Sequence, residues 1–193
     1  MKNIKKITAI LSMFLFCIMS LSAQTERMKF MGIPIAGSPI QMGEKLKAKG
    51  FVFKEKISDH IREYSGTFAG SNVVVDVVST SNVVWKILVE YPEASSFSRL
   101  ESDYEDMVGQ FKKKYGEPTE HFEFFSKPYY KGDGYEMQAL RLDKCNYASY
   151  WEKENGTICV EMSKGGHLWI GYEDKVGVRE KNQKEYQQIQ DDI

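Results

Sequence analysis

The 193-residue sequence predicts an α+β fold of two tandem modules, each a helix packed on a four-stranded antiparallel sheet. Three observations carry this expectation. Phe97, Leu100, Tyr104, Met107, Phe111 and Tyr115 step by three or four residues and trace one continuous helical face. Short runs rich in Val, Ile, Tyr and Trp, bounded by Gly, Asn and Ser, mark strands on both sides of that helix. The order of helix, helix-ending glycine and four strands occurs twice, with Gly50 and Gly116 as the two glycines. A 42% hydrophobic and 13% aromatic composition excludes a disordered or fibrous chain.

The first module is expected over residues 28–92. Ser38-Pro39-Ile40-Gln41 opens its helix: Ser38 caps, Pro39 takes the first helical position, and Gln41 can close a capping box. Met42 and Leu46 supply the apolar stripe and Gly50 ends the helix. Strands follow at Phe51–Ile57, Tyr64–Gly70, Val73–Ser79 and Val83–Tyr91. In the first of these, alternation places Phe51, Phe53 and Ile57 on one side.

The second module is expected over residues 95–175. Ser95, Ser96 and Ser98 offer caps for its helix. Lys112, Lys113 and Lys114 complement the dipole at its end, and Gly116 and Pro118 stop it. Thr119–Phe125 is followed by an inserted loop and short helix over 126–144, the helix resting on good formers between Tyr135 and Lys144. Strands are expected at Asn146–Glu154, Thr157–Ser163 and His167–Asp174. A polar tail helix over 177–193 has only the thin stripe Val178, Tyr186, Ile189 and Ile193, which predicts weak docking.

Turn chemistry sets the expected registers. A three-residue loop at Thr80-Ser81-Asn82 pairs Val77 with Trp85, Val75 with Ile87 and Val73 with Val89, which makes Trp85 core and sets Asp76 opposite Lys86. Asn155-Gly156 reads as a two-residue turn that pairs Trp151 with Val160 and Tyr150 with Glu161. Lys164-Gly165-Gly166, with Gly166 left-handed, pairs Met162 with Leu168, Val160 with Ile170 and Ile158 with Tyr172. Trp151 is then core, while Tyr150, Glu161 and Trp169 form an outward row flanked by His167 and Cys159.

The N-terminus reads as an export signal: Lys2, Lys5 and Lys6, an apolar run from Ile7 to Leu21, then Ser22 and Ala23. The run is short for a membrane span. Cleavage is expected after Ala23, giving a periplasmic or secreted chain with no membrane span. Lipidation at Cys17 is disfavoured, because Phe16 stands where a lipoprotein peptidase needs a small side chain. The remainder carries 23 basic and 27 acidic residues, which gives no basic signature for nucleic acid. Cys145 and Cys159 remain, and the expected register sets them on opposite faces, against a disulfide.

No catalytic motif is present. His60, His121 and His167 are far apart, and neither HExxH, CxxC, GxSxG nor a phosphate-cradling glycine loop occurs. Neither a metal site nor a cofactor is expected. Gly132-Asp133-Gly134 lacks the further acids of a cation loop and reads as a turn. His167 facing Glu161 is the one acid–base candidate, and a solvent-facing histidine at a strand start is the simpler account. The candidate binding residues are the outward row of Tyr150, Glu161, His167 and Trp169, together with Tyr129 and Tyr130 on the inserted loop. Tyr and Trp dominate binding hot spots. Cover by a neighbouring element would explain the row, and loop anchoring would explain the tyrosine pair.

This arrangement resembles the β-lactamase-inhibitor-protein-like fold, in which tandem helix-plus-four-strand modules of secreted bacterial proteins form a concave binding sheet. It also resembles small outer-membrane assembly lipoproteins built on one such module. Met28-Lys29-Phe30-Met31-Gly32-Ile33-Pro34-Ile35, Lys49-Gly50-Phe51 and Ile170-Gly171-Tyr172-Glu173-Asp174 are similar to segments of uncharacterised exported Gram-negative proteins. The resemblance spans residues 28–175 and implies protein binding; it assigns no functional residue. The expected function is therefore an exported non-catalytic module that binds a protein or envelope component through an exposed sheet face. The alternatives are a structural envelope assembly factor and a hydrolase with a deep pocket holding His167 or His121.

Overall fold

Over its described residues the chain is an α+β protein with four helices and a large antiparallel sheet. The structure, a computed structural model, describes residues 26–191. The expected signal segment with Cys17, and the end of the tail at Ile193, lie outside these residues.

A small hairpin of β1 (Lys29–Phe30) and β2 (Ile33–Pro34) comes first, turned by Met31 and Gly32 at φ of 50° and 79°. It delivers Phe30 and Ile35, both fully buried, to the core. No periodicity in the sequence marks so short a pair. Helix α1 (Pro39–Lys47) carries the expected reciprocal cap. The Gln41 N–H donates to Ser38 Oγ at 3.2 Å, and the Ser38 N–H donates to Gln41 Oε1 at 3.0 Å. Strands β3 (Val52–Lys56), β4 (Ile61–Phe68), β5 (Ser71–Thr80) and β6 (Val83–Glu90) follow. A bulge after Phe53 breaks the alternation in β3, so Ile57 stands exposed instead of sharing a buried side with Phe51.

Helix α2 (Phe97–Tyr115) is capped by Ser96 Oγ, which accepts from the Arg99 N–H at 3.2 Å. It buries Phe97, Leu100, Tyr104, Met107 and Phe111, the face expected from their spacing, and Gly116 closes it at φ 86°. Strand β7 (Glu120–Phe125), the short helix α3 (Glu136–Arg141), β8 (Cys145–Lys153), β9 (Gly156–Met162), β10 (Leu168–Asp174) and helix α4 (Lys175–Asp191) complete the chain. Tyr186 and Ile189 of α4 are exposed, and Gly177 is its one buried residue.

The strands do not form two separate four-stranded sheets. Strand β6 pairs with β10, and all eight long strands share one antiparallel sheet in the order β3-β4-β5-β6-β10-β9-β8-β7. Helices α1, α2 and α3 cover one face of it. Between them and the sheet lies one continuous core that includes Leu46, Leu100, Leu140, Val75, Ile87, Val160 and Ile170. Trp151 sits within it, its ring 5.5 Å from that of Phe111 and its Nε1–H donating to the Gly116 carbonyl at 2.8 Å.

Two hairpin registers differ from expectation. Between β5 and β6 the turn is two residues long, Ser81-Asn82, both left-handed at φ of 50° and 61°, the pair that a twist-matched two-residue turn requires. Val75 therefore pairs with Val89 and Val77 with Ile87, while Asp76 faces Leu88 and Lys86 faces Val78. A bulge absorbs the mismatch at Trp85 and turns it away from the core. It is half-buried, with its Nε1–H donating to Thr80 Oγ1 at 3.2 Å and Lys181 of α4 lying 5.2 Å from its ring centroid. Trp85→Ala is accordingly expected to cost only about 1–2 kcal/mol in urea unfolding, and a loss as large as that of a core tryptophan would contradict the bulge.

Between β8 and β9 the turn is Glu154-Asn155, and Gly156 belongs to the strand. The glycine is required by space: a Cβ there would lie 1.9 Å from the Glu173 carbonyl oxygen of β10. The register slides by two, so Trp151 pairs with Ile158 and Tyr150 with Cys159. A shift of two preserves faces, and Trp151 stays in the core. The β9–β10 hairpin has the expected pairs, with Gly166 at φ 82°.

Candidate functional site

The sheet face opposite α1, α2 and α3 is the candidate site. Its side chains follow from the pleat: wherever Val73, Val75 and Val77 point to the core, Val74, Asp76 and Val78 point away. Strand pairing aligns these outward residues in rows that cross the whole sheet. One row runs Phe122, Ala148, Glu161, Trp169, Glu90, Val74, Ser65, Val52. The next runs Glu120, Tyr150, Cys159, Gly171, Leu88, Asp76, Glu63, Glu55. A third holds Glu152, Thr157, Glu173, Lys86, Val78 and Ile61.

Tyr150 and Trp169 thus share a face but stand in adjacent rows, not in one row with Glu161 between them. Glu161 separates Trp169 from Ala148, and Cys159 is the neighbour of Tyr150. Tyr150, Trp169, Glu161 and Cys159 are half-buried, and neighbouring strands enclose Ala148. Trp169 is tied down, its Nε1–H donating to Glu90 Oε2 at 2.6 Å. Tyr150 meets Phe122 edge to face at 6.2 Å. Gly171 makes room for Cys159, since a Cβ there would lie 2.6 Å from its Sγ.

His167 does not face Glu161. Its Nδ1 lies 2.9 Å from the Tyr91 carbonyl and 3.7 Å from Glu90, because the residue belongs to the β9–β10 loop beside the end of β6. Tyr129 packs against the core, and its hydroxyl accepts from Gln138 Nε2 at 3.2 Å, so it anchors the loop. Tyr130 is exposed, away from the rows. Sequence patterning did not single out Glu63, Glu90 or Phe122, and it set Asp76 opposite Lys86, whereas Asp76 stands beside Leu88 and Lys86 beside Val78. Their common signal is position: each is outward on its strand, which becomes visible only once register is known.

Carboxylates dominate this face. Burial raises the Asp76 carboxyl to about 6, with Glu63 and Glu90 adding like-charge repulsion. Its Oδ1 is shut off from solvent with no hydrogen-bond partner among the described residues. Burial also raises Glu161, partly offset by Lys86. The folded Asp76 value lies above the unfolded ~3.9, so its ionised form destabilises the fold above pH of about 6 and the penalty fades towards pH of about 4. Asp76→Asn is therefore expected to stabilise the protein by ~1–2 kcal/mol at neutral pH and by little near pH ~4. Equal gains at both pH values, or none, would contradict this account in thermal melts.

Among the described residues the two cysteines are unpaired. Cys145 is buried in the core and Cys159 lies on the open face; burial pushes their thiols up to about 12 and about 11. Ser149 Oγ lies 2.9 Å from His121 Nδ1, and His121 Nε2 lies 3.8 Å from Glu123. This has the composition of a nucleophile, a base and an orienting acid. Ser149, however, is fully buried and bonded to the Tyr104 hydroxyl at 2.8 Å, so a substrate cannot reach its Oγ. Five surface clefts of about 280–610 Å³ have walls free of histidine. Among the described residues no three His, Cys, Asp or Glu side chains are grouped to hold a metal, and no helix is long and apolar enough to cross a membrane. Comparison of the chain with protein-family models, curated proteins and solved structures gave no match.

Proposed function

We propose that the chain is an exported, non-catalytic binding module that engages a protein or cell-envelope partner through the sheet face opposite α1, α2 and α3. The observation that carries this reading is the face itself: eight strands wide, with Trp169, Tyr150, Leu88 and Phe122 presented among carboxylates and helices α1, α2 and α3 on the other side. Sheets with one face on a core ordinarily present an alternating polar surface to water. Half-buried aromatics fixed by Glu90 and by ring contact are rigid anchors of the kind that concentrate binding energy. The resemblance to the β-lactamase-inhibitor-protein-like fold accords with this use of a sheet. We also infer that the fold is a duplication of a helix-plus-four-strand module. In support, β3-β4-β5-β6 and β7-β8-β9-β10 run inward from the two edges and meet at β6 and β10.

Export rests on the Lys2-to-Ala23 segment. Intact mass of the protein from its native host is expected to show a chain starting at Gln24. A diacylglyceryl adduct on Cys17 would refute it. The binding reading is tested by capture from envelope extract with the wild-type chain and with Tyr150→Ala. Truncation of a hot spot weakens binding by at least about 2 kcal/mol, near thirtyfold, so capture should be lost while the melting temperature barely moves. Capture that survives both Tyr150→Ala and Trp169→Ala would overturn the assignment of this face.

A further inference from the structure

We propose that the open sheet face docks a lysine- or arginine-rich segment of a protein partner; this deepens the binding reading above and rests on it. The chain as a whole is electrically balanced, with 26 basic against 27 acidic residues. The face is not. The three rows carry eight carboxylates and one ammonium group, that of Lys86. Lys181 of α4 lies over Trp85 beyond the end of these rows, and other basic side chains sit on the last turns of α1 and α2.

The imbalance is set against stability. Glu55, Glu63 and Asp76 stand directly opposite one another on three successive strands. Like charges placed so are destabilising, and a face meant only for water would interleave the two signs. Asp76 Oδ1 has no donor, and no lysine or arginine among the described residues bridges Glu63, Asp76 or Glu161. A bound cation would relieve both defects, and its attraction would be strengthened by the half-buried setting.

The chemistry selects among cations. The carboxylates are spread along rows, and among the described residues none converge as a metal site, so several separated charges fit better than one ion. Trp169 lies between Glu161 and Glu90, and Tyr150 lies beside Phe122, so planar rings alternate with anionic oxygens. A guanidinium stacks on such rings while its edge donates to carboxylate. Nucleic acid and anionic lipid carry the wrong sign.

The probe is a fluorescent peptide of about ten residues alternating arginine and glycine, whose extended ~33 Å matches eight strands at ~4.8 Å spacing. The control peptide carries glutamate for arginine. The full chain should bind the arginine peptide and not the control, with affinity falling steeply as salt rises. Glu63→Gln with Glu161→Gln should weaken binding at least about tenfold without lowering the melting temperature, whereas Glu44→Gln with Glu117→Gln, on the helix side, should leave it unchanged. Absent binding, equal binding by both double variants, or displacement of the peptide by calcium at equimolar amounts would overturn the inference. If the peptide fails while Tyr150→Ala still abolishes capture from extract, the cationic partner is refuted and the binding face stands. If both fail, the face itself is refuted.

Discussion

Asp174→Ala is expected to cost about 3–5 kcal/mol of stability, the magnitude seen when one partner of a buried charge network is removed. The carboxylate is fully buried at the end of β10 and accepts from three donors: Arg27 Nη1 at 2.8 Å, the Met28 N–H at 2.7 Å and the Gly177 N–H at 2.6 Å. Arg27 also pairs with Glu180, so one acid fastens the N-terminal hairpin and the first turn of α4 to the sheet. Alanine would strand two backbone donors without access to water, each costing roughly 1–3 kcal/mol. Asp174→Asn keeps an acceptor oxygen and should lose about half as much. Urea unfolding measures both, and a loss below about 1 kcal/mol for the alanine variant would show that water replaces the carboxylate.

Trp151→Ala should cost a similar amount, about 3–5 kcal/mol. The indole is fully buried, packs on Phe111, and holds the Gly116 carbonyl where α2 ends, so its loss leaves both a cavity and an unpaired acceptor. Trp151→Phe fills part of the cavity but cannot donate, and should fall between wild type and alanine. Its contrast with Trp85 is informative: equal losses at the two sites would mean that the β6 bulge does not turn Trp85 outward.

Much of the fold was legible because local rules and tertiary packing agreed. The Ser38–Gln41 cap, the α2 stripe and the Gly166 loop are set by contacts within a few residues. The registers of β5–β6 and β8–β9 were misjudged where a competing demand won. Asn155-Gly156 has ideal turn chemistry, yet Gly156 is needed beside the Glu173 carbonyl, a contact made with a different strand. Ser81 adopts a left-handed conformation that its identity does not advertise, and the bulge at Trp85 compensates. The β6–β10 pairing joins residues some eighty positions apart, beyond any local signal. For the same reason Tyr150 and Trp169 could be placed on the right face from sequence, while the carboxylate rows that surround them could not.

The central claim is that the sheet face opposite α1, α2 and α3 is the working surface of this protein. Hydroxyl-radical footprinting of the protein, in buffer and in envelope extract, tests it most directly. Tyr130, Tyr135 and Tyr186 are exposed outside the rows and serve as internal references. The account predicts that extract lowers oxidation of Tyr150, Trp169 and Phe122 while the reference tyrosines are unchanged. Protection of Tyr130 or Tyr186 with Tyr150 and Trp169 still freely oxidised would contradict it.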